Sequence, residues 1–428
     1  MDVRPDMDVR IDMDVPTDVD VRIESVCRSC NGAALTPVLS LGDTPLADRL
    51  VTADRLDEPD KLVPLTLMLC SDCGLAQIRE TVRPDLLFDA DYPYFSSVSA
   101  TLLDHSKANA EALIAARGLD GDSLVIEIAS NDGYMLRNFV ARGIPVLGID
   151  PSQAPAAAAQ AAGIETRVAF FGRAQGAALA QAGRHADLVI ANNVLGHVAD
   201  LNGLVEGLAL ILKDDGVLVA EVPYVADLID GCAFDTIYHQ HLCYFSVTAL
   251  DRLFRRHGLY LNDVRPLSIH GGSLRLFVEK RAAPTTSLAA YREAEATRGL
   301  ARPETYRSFA AQAGRVKDAL GSLLGRLKGE GRRIAAYGAA AKGTTLLSYC
   351  GVTRDMLDYV VDRSAFKQGR YMPGIRLPVV PPERLLADRP DYVLLLPWNV
   401  ADEILDQQNA YRAAGGTFIV PIPEPRIV

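Results

Sequence analysis

The stretch VIEIASNDGY, residues 125–134, decides the fold of this chain. Its first four residues form an apolar run interrupted only by Glu127, which is typical of a buried strand. The polar turn that follows ends at Gly133, where the missing Cβ lets the backbone approach another group closely. Strand, turn and helix start in this order predict the first unit of an α/β sheet.

Apolar strands and helical segments alternate on both sides of this unit. Strands are predicted at 123–128, 145–150, 187–191, 216–222 and 273–279, with helices at 100–117, 133–142 and 200–212. Continuous apolar strands between helices indicate a parallel sheet covered on both faces. Long helices across 284–330 then lead to further strands at 332–337, 358–361 and 391–396. These predict a second, smaller α/β unit with a Rossmann-like pattern.

Two CxxC pairs precede the sheet: Cys27 with Cys30, and Cys70 with Cys73. Four thiolates can bind one tetrahedral Zn²⁺ at about 2.3 Å, and each pair is followed closely by a glycine. The alternatives are redox pairs and unliganded thiols. Four protein ligands leave no open position on the metal, so we expect a structural zinc.

The chain is therefore expected to be an α/β protein in four segments. They are a disordered tail at 1–22, a zinc-binding domain at 23–85, a Rossmann-like methyltransferase-type domain at 86–285 and a C-terminal Rossmann-like substrate-binding domain at 286–428.

Composition excludes several classes of protein. The 428 residues carry a net charge of −10 and no Lys/Arg block, which argues against nucleic acid as a partner. Seven cysteines are too sparse for a disulfide scaffold. Because no apolar run reaches bilayer length and the N-terminus lacks a signal-peptide layout, we expect no membrane partner and a cytoplasmic location.

The turn after the first strand suggests an adenosyl cofactor. Asp150 ends the next strand, where a carboxylate can accept hydrogen bonds from ribose hydroxyls, and Asn193 follows the fourth strand. A dinucleotide site would need GxGxxG, but residues 127–133 contain a single glycine. S-adenosylmethionine has no pyrophosphate to bind, so fewer glycines suffice. The alternative is an ordinary buried strand with a polar turn.

A reactive cluster, TIYHQHLCYFS, occupies residues 236–246 after the strand that ends at Val222. His and Tyr concentrated at a sheet edge indicate general acid–base chemistry, although a lone His is often only a satisfied polar residue. A second metal at the HxH is disfavoured because no carboxylate supports it. By topology His197 lies at the same edge.

At this point the chain resembles a family: the S-adenosylmethionine-dependent sugar C-methyltransferases of antibiotic deoxysugar pathways, which act on dTDP-linked keto-sugars. The resemblance runs from residue 25 onward. Besides the two CxxC pairs, its motifs are YPYFS (92–96), EIASNDG (127–133), NNVLGHV (192–198), YHQHLCYFS (238–246), HGGSLR (270–275) and YGAAAKG (337–343).

The resemblance implies roles for the matched positions. His241 would be the general base that removes the proton beside the sugar ketone, with Tyr238, Tyr92 and His197 as donors near the enolate. The methyl donor would be held by Glu127, Ser130, Asn131, Gly133, Asp150 and Asn193. The substrate would contact His270, Lys342 and Arg370. We expect methylation at C-3, next to a 4-keto group, by a monomer or small homo-oligomer.

One position departs from the family pattern. Similar proteins commonly have Glu between the two histidines, where this chain has Gln240. Glutamine donates and accepts hydrogen bonds but does not act as an acid. We expect this change to alter how the substrate is positioned.

The C-terminal turn YGAAAKGTT, residues 337–345, leaves several interpretations open. It is not a Walker A loop, because Lys342 precedes Gly343. Asp362 at the end of the next strand would suit a nicotinamide cofactor, and a degenerate unit with a structural turn is also possible. The family resemblance favours binding of the substrate diphosphate, with FKQGR (366–370) and PWN (397–399) as further candidates. The alternative functions are an NAD-dependent sugar-nucleotide oxidoreductase and a non-catalytic sugar-nucleotide binder.

Overall fold

The computed structural model describes residues 21–88 and 95–428. Only the last two residues of the predicted tail, Val21 and Arg22, fall within the described residues, and they lie in a strand. The N-terminal module consists of β1 (Val21–Ile23), β2 (Leu35–Pro45), β3 (Leu62–Cys70), β4 (Ala76–Ile78), β5 (Glu80–Val82) and α1 (Pro84–Leu87). Strands β2, β3 and β4 form an antiparallel sheet, and β1 pairs with β5.

The central part of the chain is built around a seven-stranded sheet. Its elements are α2 (Ala100–Arg117), β6 (Val125–Ile128), α3 (Arg137–Val140), β7 (Val146–Asp150), α4 (Gln153–Ala161), β8 (Thr166–Val168), α5 (Arg173–Gln181), β9 (Ala186–Asn192), α6 (Leu201–Ile211), β10 (Leu212–Pro223), α7 (Val225–Asp230), β11 (Cys243–Tyr244), α8 (Val247–Arg256), β12 (Tyr260–Leu267) and β13 (Ser273–Glu279). The strand order is β12-β13-β10-β9-β6-β7-β8.

The prediction of a parallel sheet is right for four of the five predicted strands, β6, β7, β9 and β10, and wrong for β13, whereas β8 and β12 were not predicted. Strands β10, β9, β6, β7 and β8 are parallel, whereas β13 runs antiparallel to both β10 and β12. The short link at 268–272 joins β12 to β13, and a link of that length can connect only antiparallel neighbours. The strand order reverses between β6 and β9, which is where ligands bind in open α/β sheets.

The predicted helix at 133–142 is much shorter in the structure. Ala129, Asn131 and Gly133 have positive φ angles of 57°, 50° and 76°. The backbone therefore continues as turns after β6, and only Arg137–Val140 becomes helical. This leaves a wide polar turn at the carboxyl end of β6.

Strand β11 belongs to the sheet of the N-terminal module. Cys243 pairs with Gln77 and Tyr244 with Ala76, so the four-stranded sheet has the order β11-β4-β3-β2. The sequence pattern did not predict this pairing. It anchors the end of the reactive 236–246 segment on the cysteine module.

The C-terminal part contains a six-stranded sheet of order β16-β15-β14-β17-β18-β19. Its elements are α9 (Thr286–Arg298), α10 (Pro303–Gly329), β14 (Ile334–Tyr337), α11 (Ala341–Tyr349), β15 (Val360–Val361), β16 (Val379–Val380), α12 (Arg384–Asp388), β17 (Tyr392–Leu395), α13 (Ala401–Gln407), α14 (Asn409–Ala413), β18 (Thr417–Val420) and β19 (Arg426–Ile427). All of its strands are parallel except β19. This agrees with the predicted second α/β unit.

The three parts share one core. Helices α10 and α11 pack on β2 of the N-terminal module, and one continuous cluster of buried apolar residues contains members from all three parts. Among the described residues, none of the helices has both the length and the apolar character that crossing a bilayer requires.

Candidate active site

The four cysteine sulfurs of the N-terminal module meet at one point. Cys27 Sγ lies 3.5 Å from Cys73 Sγ, and Cys30 Sγ lies 3.6 Å from Cys70 Sγ. All four sulfurs are within 4.8 Å of one another. Thiolates bound tetrahedrally to zinc at 2.3 Å would be about 3.8 Å apart, so the geometry fits that ion.

A glycine is required after the second cysteine pair. Gly74 has a φ of +79° and donates its N–H to the Cys70 carbonyl at 2.8 Å. A left-handed residue at this point lets the chain turn tightly around the sulfurs, and only glycine adopts it without strain. The four cysteines would occupy all four ligand positions of a tetrahedral ion, which agrees with a structural metal.

Asp150 fixes the turn that follows β6. Its Oδ2 accepts the Asn131 N–H and its Oδ1 accepts the Ser152 N–H, both at 2.8 Å. The turn is also held from outside, because Asn131 Oδ1 accepts the Ser96 N–H at 2.9 Å. Each oxygen of the Asp150 carboxylate retains a lone pair for a ligand hydroxyl.

Glu127 is buried beside this turn, and neither of its carboxylate oxygens has a hydrogen-bond partner in the protein. Burial, reinforced by the charges of Asp150, Asp132 and Glu221, raises the Glu127 pKa well above its ordinary value. Buried polar groups are normally satisfied, so an unsatisfied carboxyl at the switch point indicates a place for a polar ligand.

Four further buried oxygens near the same edge have no hydrogen-bond partner in the protein. They are Ser130 Oγ and Asp132 Oδ1 in the turn, Asn192 Oδ1 at the end of β9 and Asn193 Oδ1 after it. Asn193 has a φ of +53° and donates its N–H to the Glu221 carbonyl at 2.8 Å. The structure therefore brings together the residues expected to hold the methyl donor. Their acceptor-rich chemistry fits the ammonium and hydroxyl groups of S-adenosylmethionine.

His241 has a defined tautomer. Its Nδ1 lies 2.8 Å from the Thr236 carbonyl, which only accepts hydrogen bonds, so Nδ1 carries the proton. In the neutral ring Nε2 is then the basic nitrogen, and the Tyr238 hydroxyl lies 2.8 Å from it. The two rings are tilted against each other with centroids 4.0 Å apart. This is the arrangement of an oriented general base with an adjacent donor.

His197 lies against His241, with ring centroids 4.8 Å apart in an edge-to-face arrangement. The Phe88 ring also packs edge-to-face on His197, with ring centroids 5.9 Å apart. Burial lowers the His197 pKa to about 4. His197 is therefore neutral near pH 7 and can donate a hydrogen bond without adding charge.

The other residues of the reactive segment have structural partners. His239 is buried, with Nε2 3.0 Å from the Pro64 carbonyl, and burial lowers its pKa. Gln240 is buried and donates from Nε2 to the Leu87 carbonyl at 3.4 Å. Both side chains thus contact the N-terminal module instead of His241.

Two predicted site residues receive no side-chain description. Tyr92 lies outside the described residues. His270 lies in the 3-10 turn Ile269–Gly271 that links β12 to β13, and its side chain is not among those described.

The predicted substrate residues of the C-terminal part lie in two places. Lys342 is the second residue of helix α11, and its ammonium donates to Asn399 Oδ1 at 3.1 Å and lies 3.7 Å from Asp235 Oδ1. Arg370 lies in the loop before β16, where its carbonyl accepts the Val379 N–H at 2.8 Å.

Asp362 has a structural explanation that needs no nicotinamide. Its carboxylate accepts the N–H groups of Ala339 and Ser364, both at 2.7 Å, and so fixes the turn after β14.

Sequence reasoning missed a buried ionic cluster at the same sheet edge. Glu221 in β10 accepts from Arg275 Nη2 at 2.7 Å and lies 3.0 Å from His105 Nε2. Burial acts to raise the Glu221 pKa, but its partners His105 and Arg275 outweigh burial and lower it. Arg275 stands in the HGGSLR motif, which was the one available signal. His105 comes from α2 and has no local pattern.

Three family models match successive parts of the chain. They are described as "Putative zinc binding domain" at residues 27–88, "Methyltransferase domain" at 104–264 and "C-methyltransferase C-terminal domain" at 268–423. The three ranges follow the order of the cysteine module, the seven-stranded sheet and the C-terminal sheet.

Similar proteins include one curated relative and several solved structures. The ChlM magnesium protoporphyrin IX methyltransferase from Synechocystis PCC 6803, solved with bound SAM, is 17% identical with a TM-score of 0.32, over 42% of this chain and 79% of that one. PH0226 from Pyrococcus horikoshii OT3 is 13% identical with a TM-score of 0.35, over 44% and 95%. The C-methyltransferase NovU from Streptomyces niveus is 36% identical over 405 residues, 94% of this chain and 96% of that one. With this degree of identity along nearly its whole length, the chain belongs to the S-adenosylmethionine-dependent C-methyltransferase family.

Proposed function

We propose that this enzyme methylates the carbon next to the ketone of a dTDP-linked 4-keto-deoxysugar, with C-3 as the expected position. The observation that carries the proposal is the orientation of His241. Its Nδ1–H is held by the Thr236 carbonyl, so the basic Nε2 faces the Tyr238 hydroxyl at the sheet edge. C-methylation needs a carbanion, and a carbon beside a carbonyl is the one that an imidazole can deprotonate.

The residues of the site supply the parts of that reaction. With the substrate bound, the Tyr238 hydroxyl would turn from Nε2 to the ketone oxygen; His241 Nε2 then takes the proton from the carbon, and the electron pair moves toward that oxygen. Tyr238 and the neutral His197 are hydrogen-bond donors beside this base, and donors preorganised at a developing oxyanion are the largest source of stabilisation in such steps. A positioned base contributes roughly 10²–10⁴-fold.

The methyl donor would bind at the turn that follows β6, beside Asp150. When bound, S-adenosylmethionine supplies a methyl group attached to a cationic sulfur. Glu127 would offer a negative charge to the donor, and Asp150, Ser130 and Asn193 would offer hydrogen-bond acceptors. Holding the two reactants in alignment provides the remaining acceleration.

The sugar class is supported by the motifs of the chain. The segments YHQHLCYFS and HGGSLR resemble those of the enzymes acting on dTDP-keto-sugars, and their residues His241 and Arg275 lie at one sheet edge with the donor turn. The C-terminal sheet would contact the nucleotidyl part of the substrate, with Arg370 and the 366–370 loop as candidates.

The test is a reaction with dTDP-4-keto-6-deoxyglucose and the methyl donor. We expect a product one methylene unit heavier, with NMR locating the new methyl at C-3; methylation at C-5, the other carbon beside the ketone, would correct the position. In D₂O without the donor, the ring proton should exchange. His241→Ala should abolish both methylation and exchange while binding the donor normally.

A matched control is His257→Ala. His257 makes a side-chain hydrogen bond to Asn202 Oδ1 at 2.9 Å and lies at the C-terminal end of helix α8, outside the reactive segment 236–246. His257→Ala should leave the rates of methylation and of proton exchange unchanged. Normal exchange in His241→Ala would remove His241 as the base, and an unmethylated sugar with the wild-type enzyme would refute the substrate class.

A further inference from the structure

A fully buried carboxylate precedes the residue that orients His241. Asp235 lies in the 3-10 turn Phe234–Thr236 and has no exposed surface. Both of its described partners come from the C-terminal part. Trp398 Nε1 donates to Oδ2 at 2.7 Å, and Lys342 Nζ lies 3.7 Å from Oδ1.

These three residues form a closed cluster. The Lys342 ammonium lies 4.2 Å from the centroid of the Trp398 ring, so the cation contacts both the carboxylate and the indole that binds it. Asn399 completes the set by accepting from Lys342 at 3.1 Å. Asp235 Oδ1 accepts no hydrogen bond among the described residues, so the Lys342 ammonium is the charge that compensates it.

The cluster is connected to the base through one peptide. Thr236, next to Asp235, provides the carbonyl that accepts His241 Nδ1–H at 2.8 Å. The following carbonyl, of Ile237, accepts the Thr345 hydroxyl at 3.0 Å. Lys342 and Thr345 are three residues apart on helix α11 and so share a face. Helix α11 thus holds the chain on both sides of Thr236.

We propose that Asp235, Lys342 and Trp398 are positioning residues through which the C-terminal part orients the Thr236 carbonyl and so sets the tautomer and ring orientation of His241. The proposal rests on His241 being the base. It assigns the YGAAAKG motif to the support of the reactive segment instead of to a diphosphate.

The role of this cluster is better explained by orientation of the Thr236 carbonyl than by a gain in folding stability. A buried ion pair contributes little net stability compared with apolar residues of the same shape, because desolvation offsets the attraction. An ion pair does, however, fix the distance between its two side chains and the direction in which they point. A phosphate-binding lysine would instead need its ammonium available, whereas the Lys342 side chain is only 14% exposed and its partners are Asp235, Asn399 and Trp398.

The experiment uses the full-length enzyme with Lys342→Met, Asp235→Asn and the double variant. The double variant leaves no unpaired buried charge, so it provides a folded test if a single change unfolds the chain. The control is Lys328→Met, since Lys328 also lies 3.7 Å from a carboxylate, Asp358, but has no contact with the reactive segment.

We expect kcat with dTDP-4-keto-6-deoxyglucose to fall about 10- to 100-fold in the cluster variants, with KM nearly unchanged, because a base displaced by a fraction of an ångström loses alignment. Lys328→Met should keep the wild-type kcat. A raised KM with unchanged kcat in Lys342→Met would overturn the proposal and support a diphosphate contact instead.

A second readout is independent of methyl transfer. In enzyme labelled with ¹⁵N-histidine, the His241 signals, identified by their loss in His241→Gln, should show the Nδ1–H tautomer in the wild type and a mixture in the cluster variants. An unchanged tautomer would overturn the positioning role. Because this measurement needs no turnover, it separates failure of the positioning role from failure of His241 as the base.

Discussion

At the scale of single residues, Glu127 links donor binding to pH. Its buried carboxyl has no partner, and its pKa is raised well above the ordinary value by burial and by neighbouring carboxylates. S-adenosylmethionine carries net positive charge, so it binds the ionised form better and lowers this pKa. Below the pKa of the free enzyme, binding should therefore release a proton, and affinity should rise with pH.

The measurement is isothermal titration calorimetry near pH 6 in two buffers of different ionisation enthalpy. The wild-type enzyme should show proton release on binding, and Glu127→Gln should show none. Glu206→Gln provides the control, because Glu206 is a partly exposed glutamate on α6 that pairs with Arg173. Equal proton release in wild type and Glu127→Gln would contradict the assignment.

His197 makes stability depend on pH. Burial lowers its pKa to about 4 from an ordinary 6.5. Between these values the unfolded chain binds a proton that the folded protein does not, so the free energy of unfolding falls as pH decreases through this window. The stability is complete above about pH 6.5, and at most about 3 kcal/mol is lost at pH 4.

Urea denaturation from pH 7 to pH 4 measures this effect. His197→Gln should flatten the dependence, whereas replacing the exposed His185 by Gln should not. The buried His239, whose pKa is also lowered, adds a contribution of the same sign that both variants retain. An identical slope in His197→Gln would show that another group is responsible.

The residues that motifs can identify are those whose identity is set by the chemistry of the site. Glu127 lies near the end of β6, Asp150 ends β7 and Asn193 follows β9, and parallel strands bring those ends to one edge. His241 is identified by the motif YHQHLCYFS. His105 and Asp235 could not be predicted in this way. Their roles depend on partners more than a hundred residues away, and no local pattern records such contacts.

At the scale of elements, helix α8 is capped by a residue far along the chain. Glu295 in α9 is buried and accepts the N–H groups of Val247 at 2.6 Å and Thr248 at 2.8 Å. It also accepts the Tyr224 hydroxyl at 3.0 Å. A carboxylate at a helix N-terminus satisfies unpaired N–H groups and interacts favourably with the helix dipole.

Glu295→Gln should therefore lower the free energy of unfolding by about 1–3 kcal/mol, because charge-assisted hydrogen bonds become weaker neutral ones. Chemical denaturation measures the change. Glu293→Gln, an exposed substitution on the same helix, should have little effect. Equal stabilities for the two variants would contradict the capping role.

Element positions in the central sheet follow well from hydrophobic pattern, since α2 occupies residues 100–117 as predicted and β7 begins one residue late. The hydrophobic pattern does not predict strand pairing between different parts of the chain. Strand β11 has two residues, too few for any periodicity, and its place beside β4 depends on tertiary packing.

At the scale of the whole molecule, the reactive segment 236–246 is held from two sides. Helix α11 contacts its beginning through Thr345 and Lys342. The cysteine module contacts its end, where the Leu242 carbonyl accepts the Ile78 N–H at 3.0 Å and β11 pairs with β4. The order of the three parts could be read from the sequence, but this convergence on one loop could not.

Removal of zinc should consequently impair catalysis at a distance. Cys70 ends β3 and Cys73 precedes β4, so the metal fixes β3 to β4, the strand with which Leu242 and β11 pair. Without it, four thiols must share a space sized for one ion, and β4 loses its anchor. Binding energy of a structural zinc is folding energy, so its loss should lower the melting temperature as well as kcat.

The test begins with elemental analysis, which should find one equivalent of zinc in the purified enzyme. Chelation should lower the melting temperature and methyl transfer together, and added zinc should restore both. Cys70→Ser/Cys73→Ser should behave like the chelated enzyme, whereas Cys350→Ser, at a buried cysteine outside the cluster, should retain its zinc. A metal-free enzyme with full activity would show that β4 holds the reactive segment without the ion, and that packing of α10 and α11 on β2 alone suffices.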